Sequence, residues 1–157
     1  MNEQVKQRAG IVLAVFLAAD GLANLYWAMG NTWPAPDAKS LTLAILNANV
    51  STAPQITVPL ACLSFCGALI ALARVDCLGK FGQLIPDPLL QLGILVIAAA
   101  LLLRGGMGIG WSLGLVVVKT QLFYMLNLVA YTPICLLFFA VAVVAARSER
   151  SHNWRKS

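Results

Sequence analysis

Asp20, Asn24 and Trp27 stand at i, i+4 and i+7 inside an otherwise apolar run from Ala9 to Met29. On a helix that spacing places a carboxylate, an amide and an indole on one face. A carboxylate at the centre of a bilayer costs on the order of 3 kcal/mol on insertion scales, so Asp20 is expected to face other protein or a water-filled cavity. Its roles divide between a cavity ligand or proton-bearing group and a structural partner of a hydroxyl, an amide or Arg104. A second polar set, Tyr124, Asn127, Tyr131 and Cys135, shares a face at spacings of three and four if the last helix begins early. Both sets lie at the same expected depth. The sequence therefore predicts one cavity lined by Asp20, Asn24, Trp27, Asn127 and Tyr131 and capped by the Trp33-Pro34 loop, with the small face Thr57, Ala61, Ser64 and Ala68 of the second span and Gln91 of the third span contributing.

Other chemistries lack their residues. Cys62, Cys66, Cys77 and Cys135 form no CxxC pair, and the single His152 lies in a polar tail, so no metal-ligand spacing is present and no cofactor is implied. The glycine run GGMGIG at 105–110 follows an apolar span and lacks the strand of a phosphate-binding loop. Gly106, Gly110 and Gly114 read instead as the small-xxx-small spacing of close helix packing, as do Gly10, Ala14 and Ala18 on the first span, with Gly21 beside them. Catalytic residues are not identifiable.

The elements that position these residues follow from composition. The chain has 157 residues, 60% of them hydrophobic and 11% charged, with mean hydropathy +0.82, outside the range of soluble domains. The net charge of +5 is carried at the termini and in short loops between apolar blocks, a pattern of topology and anionic lipid contact that argues against nucleic acid. One integral-membrane domain over 1–157 is expected, with spans at 9–29, 55–73, 88–104 and 130–147. Residues 105–129 are read as a re-entrant piece or outer-leaflet loop, a fifth span being the alternative. The last helix either starts at Thr132 or starts near Gln121 and kinks at Pro133. Asp37 is expected to cap a short amphipathic helix through about Leu46. Asn49-Val50-Ser51 matches a glycosylation sequon, which matters only in a eukaryotic secretory setting. A cleaved signal peptide is disfavoured, because cleavage would leave an odd number of later spans.

Basic residues set the expected orientation. With both termini cytoplasmic, Lys6, Arg8, Arg74, Lys80, Arg147, Arg150, Arg155 and Lys156 lie inside, and Lys39, Arg104 and Lys119 outside. Four spans also require both ends on one side. The fold class is thus all-α, a four-helix transmembrane bundle with both termini cytoplasmic.

Three stretches, YWAMGNTWPAPD at 26–37, LLLRGGMG at 101–108 and FYMLNLVAYTPICLL at 123–137, together resemble the bacterial integral-membrane family called domain of unknown function 3995. The resemblance implies a four-span protein of the bacterial inner membrane and brings no established activity. The matching positions are Trp27, Gly30, Trp33, Pro34, Arg104, Gly105, Tyr131, Pro133 and Cys135. Many members of that family carry a histidine at the place of Asn24 and an aspartate at that of Asn127; this chain departs at both, which leaves Asp20 as its intramembrane acid.

Three function classes follow. The first is binding of a small amphipathic or lipid-like molecule at Asp20, Asn24, Trp27, Trp33, Asn127 and Tyr131. The second is contact with a membrane-protein partner or a second copy through the glycine stripes. The third is an enzyme acting on a lipid or isoprenoid with Asp20 as general acid.

Overall fold

The computed structural model describes residues 2–50 and 54–147. Ser51 of the sequon and the basic tail from 148 onward lie outside the described residues. In chain order the helices are α1, Glu3–Ala28; α2, Ala38–Leu46; α3, Pro54–Arg74; α4, Lys80–Gln83; α5, Asp87–Ser112; and α6, Gln121–Ala146. Among the described residues there is no strand, and α1, α3, α5 and α6 are long and apolar enough to cross a membrane.

The boundaries follow local chemistry. Asn2 caps α1 by accepting from the Gln4 amide. Asp37 caps α2: its Oδ1 accepts from the Ser40 amide at 2.9 Å and its Oδ2 from the Ser40 hydroxyl at 2.7 Å. These bonds, the backbone one foremost, hold the Asp37 carboxyl below the usual carboxylate range. At the other end of α2, Asn47 adopts a left-handed conformation with φ 54°, donates to the Val117 carbonyl and accepts from the Lys119 amide. One side chain thereby fixes α2 to the loop before α6.

The helices pack as two intimate pairs, α1 with α3 and α5 with α6, joined by lighter α1–α6 and α3–α5 contacts. Small residues make the close approaches. Gly10 lies against Val75, where a Cβ would collide, and Gly21 lies against the Phe65 ring, where a Cβ would sit 3.0 Å away and fit only if the ring gave way slightly. Ala14 is buried in the core, and the half-buried Ala18 packs against it. The core joins Leu13 and Ala14, Ala68 and Ala71, Ile94 and Ala98, and Ala142 and Ala146 in the half of the bundle that holds both described chain ends. There Arg74, itself buried, donates from Nη2 to the Ala146 carbonyl at 3.2 Å, so the end of α3 tethers the end of α6.

The stretch 105–129 differs from its expected loop. α5 continues through Gly105, Gly106, Gly108 and Gly110 to Ser112, 26 residues or about 39 Å, rather than ending at Arg104. Glycine costs a helix only about 1 kcal/mol, whereas an unpaired backbone amide in an apolar medium costs several. The helical hydrogen bonds therefore persist. α6 begins at Gln121, capped by the Thr120 hydroxyl, so only 113–120 forms a loop between α5 and α6.

The packing glycines of α5 also shift. Gly106 and Gly110 have no neighbour within 4 Å of a Cβ position, and Gly114, at φ +73°, sits past the helix end. The close approach falls on Gly105, against Leu136, and on Gly108, against Thr132 and Asn127. Residues 105 and 108 share the face turned toward α6, whereas 106 and 110 lie away from it.

Within α6, Asn127–Tyr131 forms one π-helical turn in which the Thr132 amide bonds to the Asn127 carbonyl. Pro133 explains its position: it lacks the N–H that would meet the Val129 carbonyl, and its ring crowds that carbonyl, so the turn before it opens.

Candidate functional site

Away from the core, toward the bundle end that carries α2, the helices part around a cavity of about 610 Å³. α1 contributes Phe16, Leu17, Asp20, Asn24 and Trp27. Phe16 is stacked on Phe138 of α6 with ring centroids 3.8 Å apart, which ties this wall across the bundle. Ile45 and Leu46 of α2 complete the cover, and most of the remaining wall is aliphatic.

One polar wall centres on Asp20. The Ser64 hydroxyl of α3 donates to Asp20 Oδ2 at 2.6 Å, and Asn24 Nδ2 reaches the same oxygen at 3.4 Å and the Asp20 carbonyl at 3.0 Å. The i, i+4 spacing brings the amide back onto the acid, and the serine bond crosses from α3. Trp27 Nε1 donates to the Trp33 carbonyl at 3.1 Å, which holds the indole at the rim.

The opposing wall centres on Arg104 of α5. Its Nη1 donates to Asn127 Oδ1 at 3.3 Å. Its guanidinium lies 5.2 Å from the Trp111 ring centre and 5.4 Å from that of Tyr131, both within cation–π range. Trp111 is held edge-on by Phe123, with centroids 5.0 Å apart. Asn127 is fully buried and donates to the Gly108 carbonyl at 2.8 Å and to Ser112 Oγ at 3.3 Å. The π turn presents Asn127 and Tyr131 to the same guanidinium. Among the described residues no carboxylate forms an ion pair with Arg104.

Four expected site residues therefore meet in one cavity: Asp20, Asn24, Trp27 and Tyr131. Two do not line it. Asn127 lies behind the wall, in the α5–α6 contact, where Gly108 leaves room for its amide. The Trp33 side chain is 74% exposed and only its backbone serves the site, while α2 supplies the cover expected of the Trp33-Pro34 loop. Arg104, Ser64 and Cys135 complete the polar lining. Arg104 was legible in sequence as a possible partner of Asp20, yet only the extension of α5 past it places its side chain inside the bundle rather than at a span end. Gln91 and Thr57 lie outside the lining. Among the described residues no group of histidine, cysteine or acidic side chains is arranged to hold a metal ion.

An all-helical bundle with four long apolar helices, lipophilic outer faces and a mainly apolar cavity with a few polar groups defines a multi-pass membrane protein. The family model described as "Protein of unknown function (DUF3995)" matches residues 8–143, and the chain belongs to that family. The match takes in nearly the whole length of the four long helices. Neither a curated protein nor a solved structure matches the chain.

Proposed function

We propose that this protein binds a small amphipathic or lipid-like molecule in the cavity between its four long helices. The observation that carries the reading is the cavity itself: about 610 Å³, within the ~300–1,000 Å³ range of small-molecule sites, with aliphatic walls and a few converging polar groups. The apolar part of the ligand lies along Leu17, Leu63, Ile97 and Leu101, and its polar end between the Asp20 and Arg104 walls. We take both termini as cytoplasmic from the distribution of basic residues, so the cavity lies in the outer half of a bacterial inner membrane.

Native mass spectrometry of the protein released from its own membranes tests this, with Ile97→Trp and Leu101→Trp, which fill the apolar part of the cavity, compared at matched folding. A discrete bound small molecule that is weakened or lost in both variants is the expected result. Bare protein throughout, or equal retention by all three, would sink it.

A second reading, association with a partner helix or a second copy, draws on the outward position of Gly106 and Gly110, whose surroundings are open. Co-purification of a stoichiometric partner lost in Gly106→Leu would favour it.

A further inference from the structure

We infer that the polar end of the cavity's ligand is an anion, a carboxylate or phosphate ester on an apolar tail, received by Arg104; this rests on the binding reading above and gives it a ligand class. The argument begins with the two formal charges of the lining. Asp20 Oδ2 is already met by a short 2.6 Å bond from the Ser64 hydroxyl, with the Asn24 amide farther off at 3.4 Å. Arg104 has no equivalent compensation. A guanidinium carries several N–H donors in a planar fork and stays charged in proteins, yet here only the Nη1 bond to Asn127 is made with an acceptor among the described residues, at a long 3.3 Å.

A half-buried cation between apolar helices is costly unless something of opposite charge meets it. Nothing on α5 or α6 does so within ion-pair distance among the described residues.

The guanidinium is also held ready. Trp111 and Tyr131 stand near it, Phe123 braces Trp111, and Asn127 is anchored to the Gly108 carbonyl and to Ser112. Three elements of the fold therefore serve one side chain: the long α5, the π turn of α6 and the glycine gap at 108. Rigid placement of a fork whose remaining donors meet no acceptor among the described residues suits the two oxygens of a carboxylate or phosphate, because the ordering cost is met during folding rather than on binding. A cationic ligand finds the reverse, an acid already engaged and a fixed positive charge in the same cavity. The aliphatic lining adds the requirement for a tail, which separates a lipid-like anion from a free one.

The test measures equilibrium retention of probes by the full-length protein in neutral-detergent micelles. The probes are hexadecyl phosphate, palmitate, hexadecanol, hexadecylamine and inorganic phosphate. The wild type is expected to hold hexadecyl phosphate and palmitate about 10-fold more tightly than hexadecanol, the gain of one charge-assisted pair. Hexadecylamine and inorganic phosphate should be held more weakly than either anionic amphiphile. In Arg104→Gln the ratio of hexadecyl phosphate to hexadecanol should fall toward one, and Arg104→Lys should restore part of it.

Equal retention of hexadecyl phosphate and hexadecanol by the wild type, or preference for hexadecylamine, would overturn the inference while leaving the cavity as an amphiphile site. Inorganic phosphate held as tightly as hexadecyl phosphate would overturn the amphiphilic part. No retention of any probe by folded wild type would overturn both this inference and the binding reading beneath it. The wild-type comparisons decide the matter even if Arg104→Gln does not fold.

Discussion

Gly108→Ala and Gly106→Ala make the same chemical change two residues apart on α5 and are expected to have opposite signs. At Gly106 a Cβ meets nothing within 4 Å, so the substitution contributes only the helix preference of alanine over glycine, about 1 kcal/mol of stabilisation. At Gly108 the same methyl collides with Thr132 Oγ1 and comes within 3.0 Å of Thr132 Cβ and 3.1 Å of Asn127 Oδ1. Rotating the threonine hydroxyl relieves only the first contact, since its Cβ cannot move without the helix. α6 must therefore shift outward, an overpacking cost of about 1–3 kcal/mol. The shift also lengthens the Asn127 bond to the Gly108 carbonyl, worth about 1 kcal/mol. Set against the helix-preference gain, Gly108→Ala is destabilising by about 1–3 kcal/mol. The two variants should then differ by ~2–4 kcal/mol, or a thermal midpoint separation of about 4–16 °C for a chain of this size. Thermal unfolding in micelles, followed by circular dichroism, measures it. A Gly108→Ala midpoint equal to or above that of Gly106→Ala would refute the placement of the α5–α6 contact, and with it the positioning of Arg104.

Two further predictions concern the cover of the cavity. Asn47→Ala removes the hydrogen bonds to the Val117 carbonyl and the Lys119 amide and puts a methyl side chain at φ 54°; it should loosen the 113–120 loop by about 2–3 kcal/mol. Faster hydrogen exchange at the Lys119 amide reads this out, and Asn47→Gly should recover the backbone term alone. Asp37 carries the pH dependence. Because its folded-state pKa lies below its unfolded value of about 4, its capping contribution is fully present above that range and is lost as the pH falls through the lowered value. Protection of the first-turn amides of α2, taken against the intrinsic exchange rate at each pH, should fall in acid in the wild type and be low at neutral and acid pH alike in Asp37→Ala. An identical acid response in wild type and variant would remove Asp37 as its cause.

Composition and local spacing were enough to read the solvent, the helical class and one wall of the cavity. Long apolar blocks with few charges leave the backbone no option but helices in lipid, and Asp20, Asn24 and Trp27 share a face because four- and three-residue steps nearly complete turns. The cap at Asp37 is equally local, since its side chain meets an amide three residues on, whereas the cap of α6 falls at Thr120 and not at Thr132, because the helix starts before the π turn. Tertiary structure decided the rest. Whether α5 stops at Arg104 or runs to Ser112 depends on backbone hydrogen bonds kept despite four glycines, a balance that glycine content alone reads the wrong way. Which of those glycines packs depends on the side of α5 that α6 occupies. That choice puts Asn127 behind the cavity wall rather than in it, because only at Gly108 is there space for its amide. Arg104 became a cavity residue for a related reason: the extension of α5 sets Trp111 two turns beyond it, and the packing of α6 on α5 brings Asn127 and Tyr131 to the same guanidinium.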